Sequence, residues 1–267
     1  MSDLSSQHYL LNEQYKDASN LNARIQLHQR FGTSKIDWHH WVFEQFALTA
    51  GSRILELGSG PGHLWQKNLD RIPPGCQITL SDFSEGMLQE AKNNLAESAE
   101  RFSFQLVDAQ SIPFEDASFD VVIANHMLYH VPDHERAFSE IRRVLQPQGR
   151  FYAATNGEAH LQEIRELVQR VFSSSSGRKR SESSFSLENG AAQLAPWFSH
   201  VEMRPYEDAL VVTETEPLVA FVLSTRAKRI LTEEQVRKLR EIVAQELARN
   251  GSIAIMKATG LFVACSK

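Results

Sequence analysis

The chain has 267 residues, 42% of them apolar, which is enough for one large core without disulfide staples. A formal charge of -5 argues against a general nucleic-acid surface, which needs clustered positive charge. The opening MSDLSSQHYLLNEQY lacks the basic-then-apolar order of a signal peptide, and no apolar run approaches the roughly 18 residues of a membrane span. A soluble, cytoplasmic protein without nucleic-acid or membrane partners is therefore expected. Two cysteines, Cys76 and Cys265, argue against a disulfide framework and read as small core residues.

Residues 1–50 read as two or three helices forming an N-terminal cap. Leu21, Ile25 and His28 share a face, and Gly32 suits a C-terminal stop. The stretch QYKDASNLNARIQLHQRFG is dense in polar groups: Tyr15, Asn20, Asn22, Arg24 and His28. It reads either as a lid over a site or as a surface helix packed on the core. A core follows over 51–157. Strands are predicted at 53–57, 77–80, 102–107, 120–125 and 149–155. Val121 to Ala124 is continuously apolar, as in a parallel strand buried on both faces. Ser84 suits the N-cap of a helix running to about residue 97. Ala137, Phe138, Ile141, Val144 and Leu145 share a helical face, with Pro147 and Gly149 as its stop. The rest, 158–267, reads as a continuation of the same domain. A helix is expected over 158–172, then a polar loop over 173–184 in which Arg178, Lys179 and Arg180 are solvated. Residues 199–213 suit a strand pair or one bent strand. Thr232 and Gln235 form a capping box before a helix with Val236, Leu239, Ile242, Val243 and Leu247 on one face. A last strand is expected over 259–266. Strand–helix alternation of this kind predicts a doubly wound α/β fold.

The chemistry concentrates in ILELGSGPGHLW. A strand, a glycine turn and a helix make a cofactor-binding arrangement, because glycine admits close backbone approach and the helix start offers free N–H groups. The glycines stand at Gly58, Gly60 and Gly62, and His63 occupies the third position of a dinucleotide G-x-G-x-x-G fingerprint. Glu56 is a poor neighbour for a pyrophosphate and a good one for an ammonium group.

This E-x-G-x-G-x-G turn resembles motif I of the class I S-adenosylmethionine-dependent methyltransferases, and the resemblance extends over roughly residues 50–157. In SDFSEGML, Asp82 ends the second strand like the family's ribose-binding acid. In QLVDAQSIPF, Asp108 matches the acid near the adenine amino group. FDVVIANHMLYHVPD resembles the fourth-strand motif, whose first loop residues line the methyl group. EIRRVLQPQGRFYAAT resembles the next helix and strand, with Gln148 where the family usually has Gly. The resemblance implies a Rossmann-like, mostly parallel seven-stranded sheet with an antiparallel last strand, a helical lid and a helical insertion before that strand. It implies S-adenosylmethionine as cofactor and S-adenosylhomocysteine as product. It assigns cofactor contacts to Glu56, Gly58, Ser59, Gly60, Gly62, Asp82, Phe83, Met87, Asp108, Ala109, Gln110, Asn125 and His126, and in the lid reading Tyr15 or Arg24 touches the methionine end. His126, Tyr129 and His130 follow the fourth strand and are candidates for a general base, or else for packing and substrate positioning. Asn156, Gly157 and His160 are candidates for the substrate pocket. His126, His130 and His134 are spaced four apart, but Pro132 breaks any common helical face, so no metal is expected. The loop Asn125-His126-Met127-Leu128 lacks the Asn-Pro-Pro-Tyr pattern of enzymes acting on DNA and protein nitrogens, and a small-molecule acceptor is expected. An NAD-type oxidoreductase and a catalytically silent binder of the same cofactor remain as rival readings.

Overall fold

A computed structural model describes residues 19–172, 184–225, 227 and 230–266. Its centre is a seven-stranded sheet in the order β3-β2-β1-β4-β5-β7-β6. The strands are β1 (Arg53–Leu57), β2 (Gln77–Asp82), β3 (Phe102–Leu106), β4 (Phe119–Asn125), β5 (Leu145–Asn156), β6 (Phe198–Val212) and β7 (Ile253–Ser266). The first five are parallel, and β7 lies antiparallel between β5 and β6. Between β3 and β4 the chain crosses from one side of β1 to the other. Connections leave β1 and β4 in opposite directions at this switch, which opens a crevice at their carboxyl ends.

The continuous apolar run of β4 has the expected cause. Val122 and Ala124 enter one core layer with Phe138, Phe151 and Phe262, under α5 (His134–Val144) and α7 (Gly190–Leu194). Val121 and Ile123 enter the opposite layer with Trp65 and Tyr152, under α2 (Trp38–Glu44) and α3 (His63–Gln66). A third cluster joins α1 (Ser19–Phe31), α6 (Gln162–Gln169), α8 (Thr215–Leu223) and α9 (Glu233–Asn250) beside the ends of β6 and β7. Among the described residues, no helix is long and apolar enough to cross a membrane.

Local signals operate as read at several places. Ser84 Oγ accepts from Met87 N and caps α4 (Glu85–Leu95), which passes into a 3-10 turn over Ala96–Arg101. The capping box is present: Gln235 N donates to Thr232 Oγ1 at 3.2 Å, and Thr232 N donates to Gln235 Oε1 at 2.9 Å. Other boundaries differ. α5 stops because Leu145 turns extended and pairs with Phe119, so β5 begins four residues before Gly149, and Pro147 lies inside it. Residues 199–212 belong to one long strand and Thr213 lies outside it; Pro205 is accommodated because β6 is a sheet edge whose strand neighbour is β7. β7 starts at Ile253 rather than 259. The helix expected over 158–172 is confined to α6, its start delayed by Leu161 at φ 54°. Cys76 and Cys265 are only partly buried, one just before β2 and the other near the end of β7.

Phe138 is fully enclosed between α5 and the sheet, with the Phe185 ring 6.0 Å away. Phe138→Ala is expected to cost about 3–5 kcal/mol and to lower the melting temperature by on the order of 10 °C. Thermal unfolding of the ligand-free protein checks this, and an unchanged midpoint would contradict the packing.

Candidate active site

The crevice at the strand ends holds a cavity of about 860 Å³ that runs from the glycine turn to the helices and strands outside the parallel core. Its first half is built by local backbone geometry. β1 ends at Leu57, and Gly58, Gly60 and Gly62 all take positive φ. A side chain on Gly58 would place its Cβ 2.7 Å from Met127 Cβ, so only glycine fits between β1 and the loop after β4. The turn is pinned to β2. Ser59 N donates to Ser81 O at 2.8 Å and Gly60 N donates to Asp82 Oδ2 at 2.9 Å. The other Asp82 oxygen accepts from Ser84 N at 2.8 Å. One carboxylate thus fixes both the glycine turn and the start of α4, and it retains lone pairs toward the cavity.

Glu56 sits beneath the turn, 2% exposed, and its Oε2 accepts from Trp65 Nε1 at 2.6 Å. Burial pushes its carboxyl up to about 7, and nearby Asp82 adds to the rise. Burial also pushes Asp82 upward, against the amides that hold it. Two buried polar atoms beside them, Ser59 Oγ and Asn125 Oδ1, have no partner among the described residues. Asp108 accepts from Gln110 N at 2.9 Å and from the Gln110 amide side chain. Phe83, Met87, Ala109 and Gln110 line the same half.

Gly62 does not line the cavity. It is the left-handed N-cap of α3, and it sets α3 against Ala91 of α4. Gly157 is likewise absent from the wall, being packed against Glu188, Leu187 and Ala258. Tyr15 lies outside the described residues, as do the side chains of Asn20, Asn22 and Arg24.

The second half gathers residues from distant elements. His126 takes φ 55°, with its N–H bonded to Ala154 O and its ring 5.1 Å from Trp38. Burial first, then His39 and Lys257, holds its imidazole down at about 4, so it is neutral at neutral pH. Tyr129 and His130 lie on a 3-10 turn at the wall, ring to ring at 4.5 Å. Asn156, His160 and His28 also line this half. His134 does not join the other histidines: its ring nitrogens meet Gln193 Oε1 and Leu128 O, both at 2.8 Å. Among the described residues, no three His, Cys, Asp or Glu side chains are arranged to hold a metal.

Sequence reasoning missed Trp38, His39, Tyr206, Asp208 and Lys257, all of which line this half. No local signal marks Asp208 and Lys257, which become cross-strand neighbours only through the pairing of β6 with β7.

Comparisons with known proteins agree with this geometry. Residues 55–153 match a family model described as a methyltransferase domain. A malonyl-[acyl-carrier protein] O-methyltransferase of Geobacter sulfurreducens is 33% identical over 146 residues, 54% of each chain. A ubiquinone/menaquinone biosynthesis C-methyltransferase UbiE of Hahella chejuensis is 31% identical over 115 residues, 42% of this chain and 46% of that one. The matches span about half the length of these curated relatives. A phosphoethanolamine N-methyltransferase of Haemonchus contortus, solved with phosphomonomethylethanolamine and S-adenosylhomocysteine, superposes with a TM-score of 0.59 at 19% identity, covering 97% of this chain and 59% of that one. The matched region holds the glycine turn, Asp82, Asp108 and the loop after β4, and over that region this chain is similar to a methyltransferase domain.

Proposed function

We propose that the protein transfers a methyl group from S-adenosylmethionine to a small-molecule acceptor. The observation that carries this reading is the chemistry of the first half-cavity. Buried Glu56 and partly buried Asp82, both raised above the usual carboxylate range, surround the glycine turn together with two orphaned polar atoms. A ligand with an ammonium group, a ribose diol and further hydrogen-bonding groups suits that set. In this assignment Glu56 takes the ammonium group. The free lone pairs of Asp82 accept from the ribose hydroxyls. Asp108 and Gln110 face the adenine edge, while Phe83, Met87 and Ala109 pack against its plane. Gly58, Ser59 and Gly60 give the backbone approach, Gly62 sets the helix behind them, and Asn125 and His126 border the reacting end. When bound, the cofactor supplies a methyl group on a cationic sulfur, an electrophile that needs alignment more than activation.

The chain's own part is then positioning and proton handling. Neutral His126 has a lone pair with which to receive a proton from an acceptor that must lose one. Tyr129 and His130 position the acceptor at the wall. The acceptor half is enclosed by α1, β6 and β7, which favours a small molecule over a nucleic acid.

Thermal melts with S-adenosylhomocysteine, S-adenosylmethionine and NAD test the reading. The first two ligands at ~100 times their dissociation constants are expected to add ~2.7 kcal/mol, roughly 5–10 °C for a chain of this size, with no response to NAD. A response to NAD alone would transfer the site to the oxidoreductases. Cofactor binding with an acceptor half that admits no acceptor would leave a silent binder.

A further inference from the structure

The end of the cavity farthest from the glycine turn has a distinct electrostatic character. Lys257 of β7 and Asp208 of β6 form an ion pair there, with side chains only 10% and 4% exposed. Asp208 is otherwise fully engaged. Its Oδ1 accepts from Thr33 N at 3.0 Å, Ser34 N at 2.9 Å and Ala209 N at 2.9 Å, stitching the segment after α1 to the edge strand. With Thr33 Oγ1 also 3.4 Å away, Oδ1 is saturated, and Lys257, which gives one of its three N–H donors to Oδ2, has donors to spare at the cavity it lines. The same ammonium lies 5.5 Å from the centre of the Tyr206 ring.

Three imidazoles surround this point from three other elements: His28 of α1, His126 after β4 and His160 after β5. All three are held below the usual range, by burial first and with Lys257 contributing each time. They are neutral at neutral pH and bring hydrogen-bonding nitrogens without charge. The buried Nδ1 of His28 has no partner among the described residues. His160 Nδ1 reaches Thr259 Oγ1 at 3.3 Å, and Thr259 in turn donates to Asn156 Oδ1. Among the described residues, no carboxylate other than the saturated Asp208 faces this end. The next ones along the wall are Asp37, already paired with Lys67 and His39, and Glu56 at the cofactor turn.

We infer that the acceptor carries an anionic oxygen, docked on Lys257 among His28, His126 and His160, and that ammonium-bearing acceptors are excluded. This rests on the proposed methyl transfer and specifies the substrate class of the same cavity. A cationic acceptor would meet one buried ammonium and no free counter-charge. An anionic oxygen would meet one ammonium and neutral imidazoles able to turn an N–H toward it.

The test uses the full chain saturated with S-adenosylhomocysteine and a panel of matched probes. Benzoate, hexanoate and 4-nitrophenolate are compared with benzamide, hexanamide and nitrobenzene, and with benzylamine, by thermal shift and calorimetry. At least one anion is expected to bind 10-fold or more tighter than its neutral partner, with the amine inactive. Whether a carboxylate or the phenolate wins identifies the oxygen. Lys257→Met abolishes the preference and Lys257→Arg retains it. Should Lys257→Met fold poorly around the unpaired acid, the double variant Lys257→Met/Asp208→Asn gives the same readout. No anion preference, or a preference that survives removal of Lys257, overturns the inference. Failure of S-adenosylhomocysteine itself to bind the wild type would instead overturn the cofactor reading, so the two failures are separable.

Discussion

Asp82→Ala is expected to weaken S-adenosylhomocysteine binding by at least ~100-fold while leaving the fold intact. Two hydrogen bonds from ribose hydroxyls to one carboxylate are worth about 1.5–3 kcal/mol each, and each 1.4 kcal/mol is about tenfold in affinity. The substitution also removes the acceptor for Gly60 N and Ser84 N, which loosens the glycine turn. Asp82 is held by those amides, yet burial still pushes its carboxyl above the ordinary range. Its ionised form is thus a cost to the empty fold at neutral pH, and its return comes on binding. Ligand-free melting should therefore change little. Asp82→Asn, which keeps one acceptor oxygen and can still receive from Gly60 N, should lose about tenfold, the worth of one such bond. Isothermal titration of the two variants checks the order. Equal affinity in wild type and Asp82→Ala would remove Asp82 from the site.

The half of the cavity that was legible in the sequence is the half built by contiguous residues. Glu56, Gly58, Gly60 and Asp82 stand at the ends of two adjacent strands, and strand periodicity alone brings them together. Continuous burial of Val121 to Ala124 announced the two-sided sheet for the same reason. The acceptor half is tertiary. Trp38 and His39 open α2, Asp208 lies on the edge strand, and Lys257 lies on a strand whose first half carried no usable boundary signal. A lysine near a sheet edge ordinarily reads as protection against edge pairing, and nothing local tells that Lys257 is instead buried against its cross-strand neighbour. The misplaced start of β5 has a similar origin. Pro147 and Gly149 are stop signals, yet long-range pairing of Leu145 with Phe119 had already taken the chain out of the helix.

A pH response close to neutrality belongs to Glu56. Its carboxyl is raised from 4.5 to about 7, chiefly by burial, with Asp82 adding to the rise and Trp65 and Asn125 opposing it. A raised folded value means that the native state binds the proton more tightly than the unfolded chain. The associated stability is fully present below the unfolded value and is lost as pH climbs through the folded one. At about 1.4 kcal/mol per unit, Glu56 alone should contribute a decline of about 3 kcal/mol between pH ~4.5 and ~7, set against the opposite contribution of His28, His126 and His160, whose values are lowered. Glu56→Gln should flatten that decline. Cofactor binding should run the opposite way. The ammonium group of S-adenosylhomocysteine pairs with the ionised carboxylate, so a protonated Glu56 must release its proton to bind. Affinity should then rise by up to tenfold per pH unit until about pH 7 and level off above it. Asp82 is also raised and adds slope of the same sign, so the informative quantity is the difference between wild type and Glu56→Gln at each pH. Titrations from about pH 5.5 to 8.5 measure it. A variant as tight as wild type at the alkaline end, or an equally steep profile in both, would mean that Glu56 holds Trp65 in place and takes no part in binding.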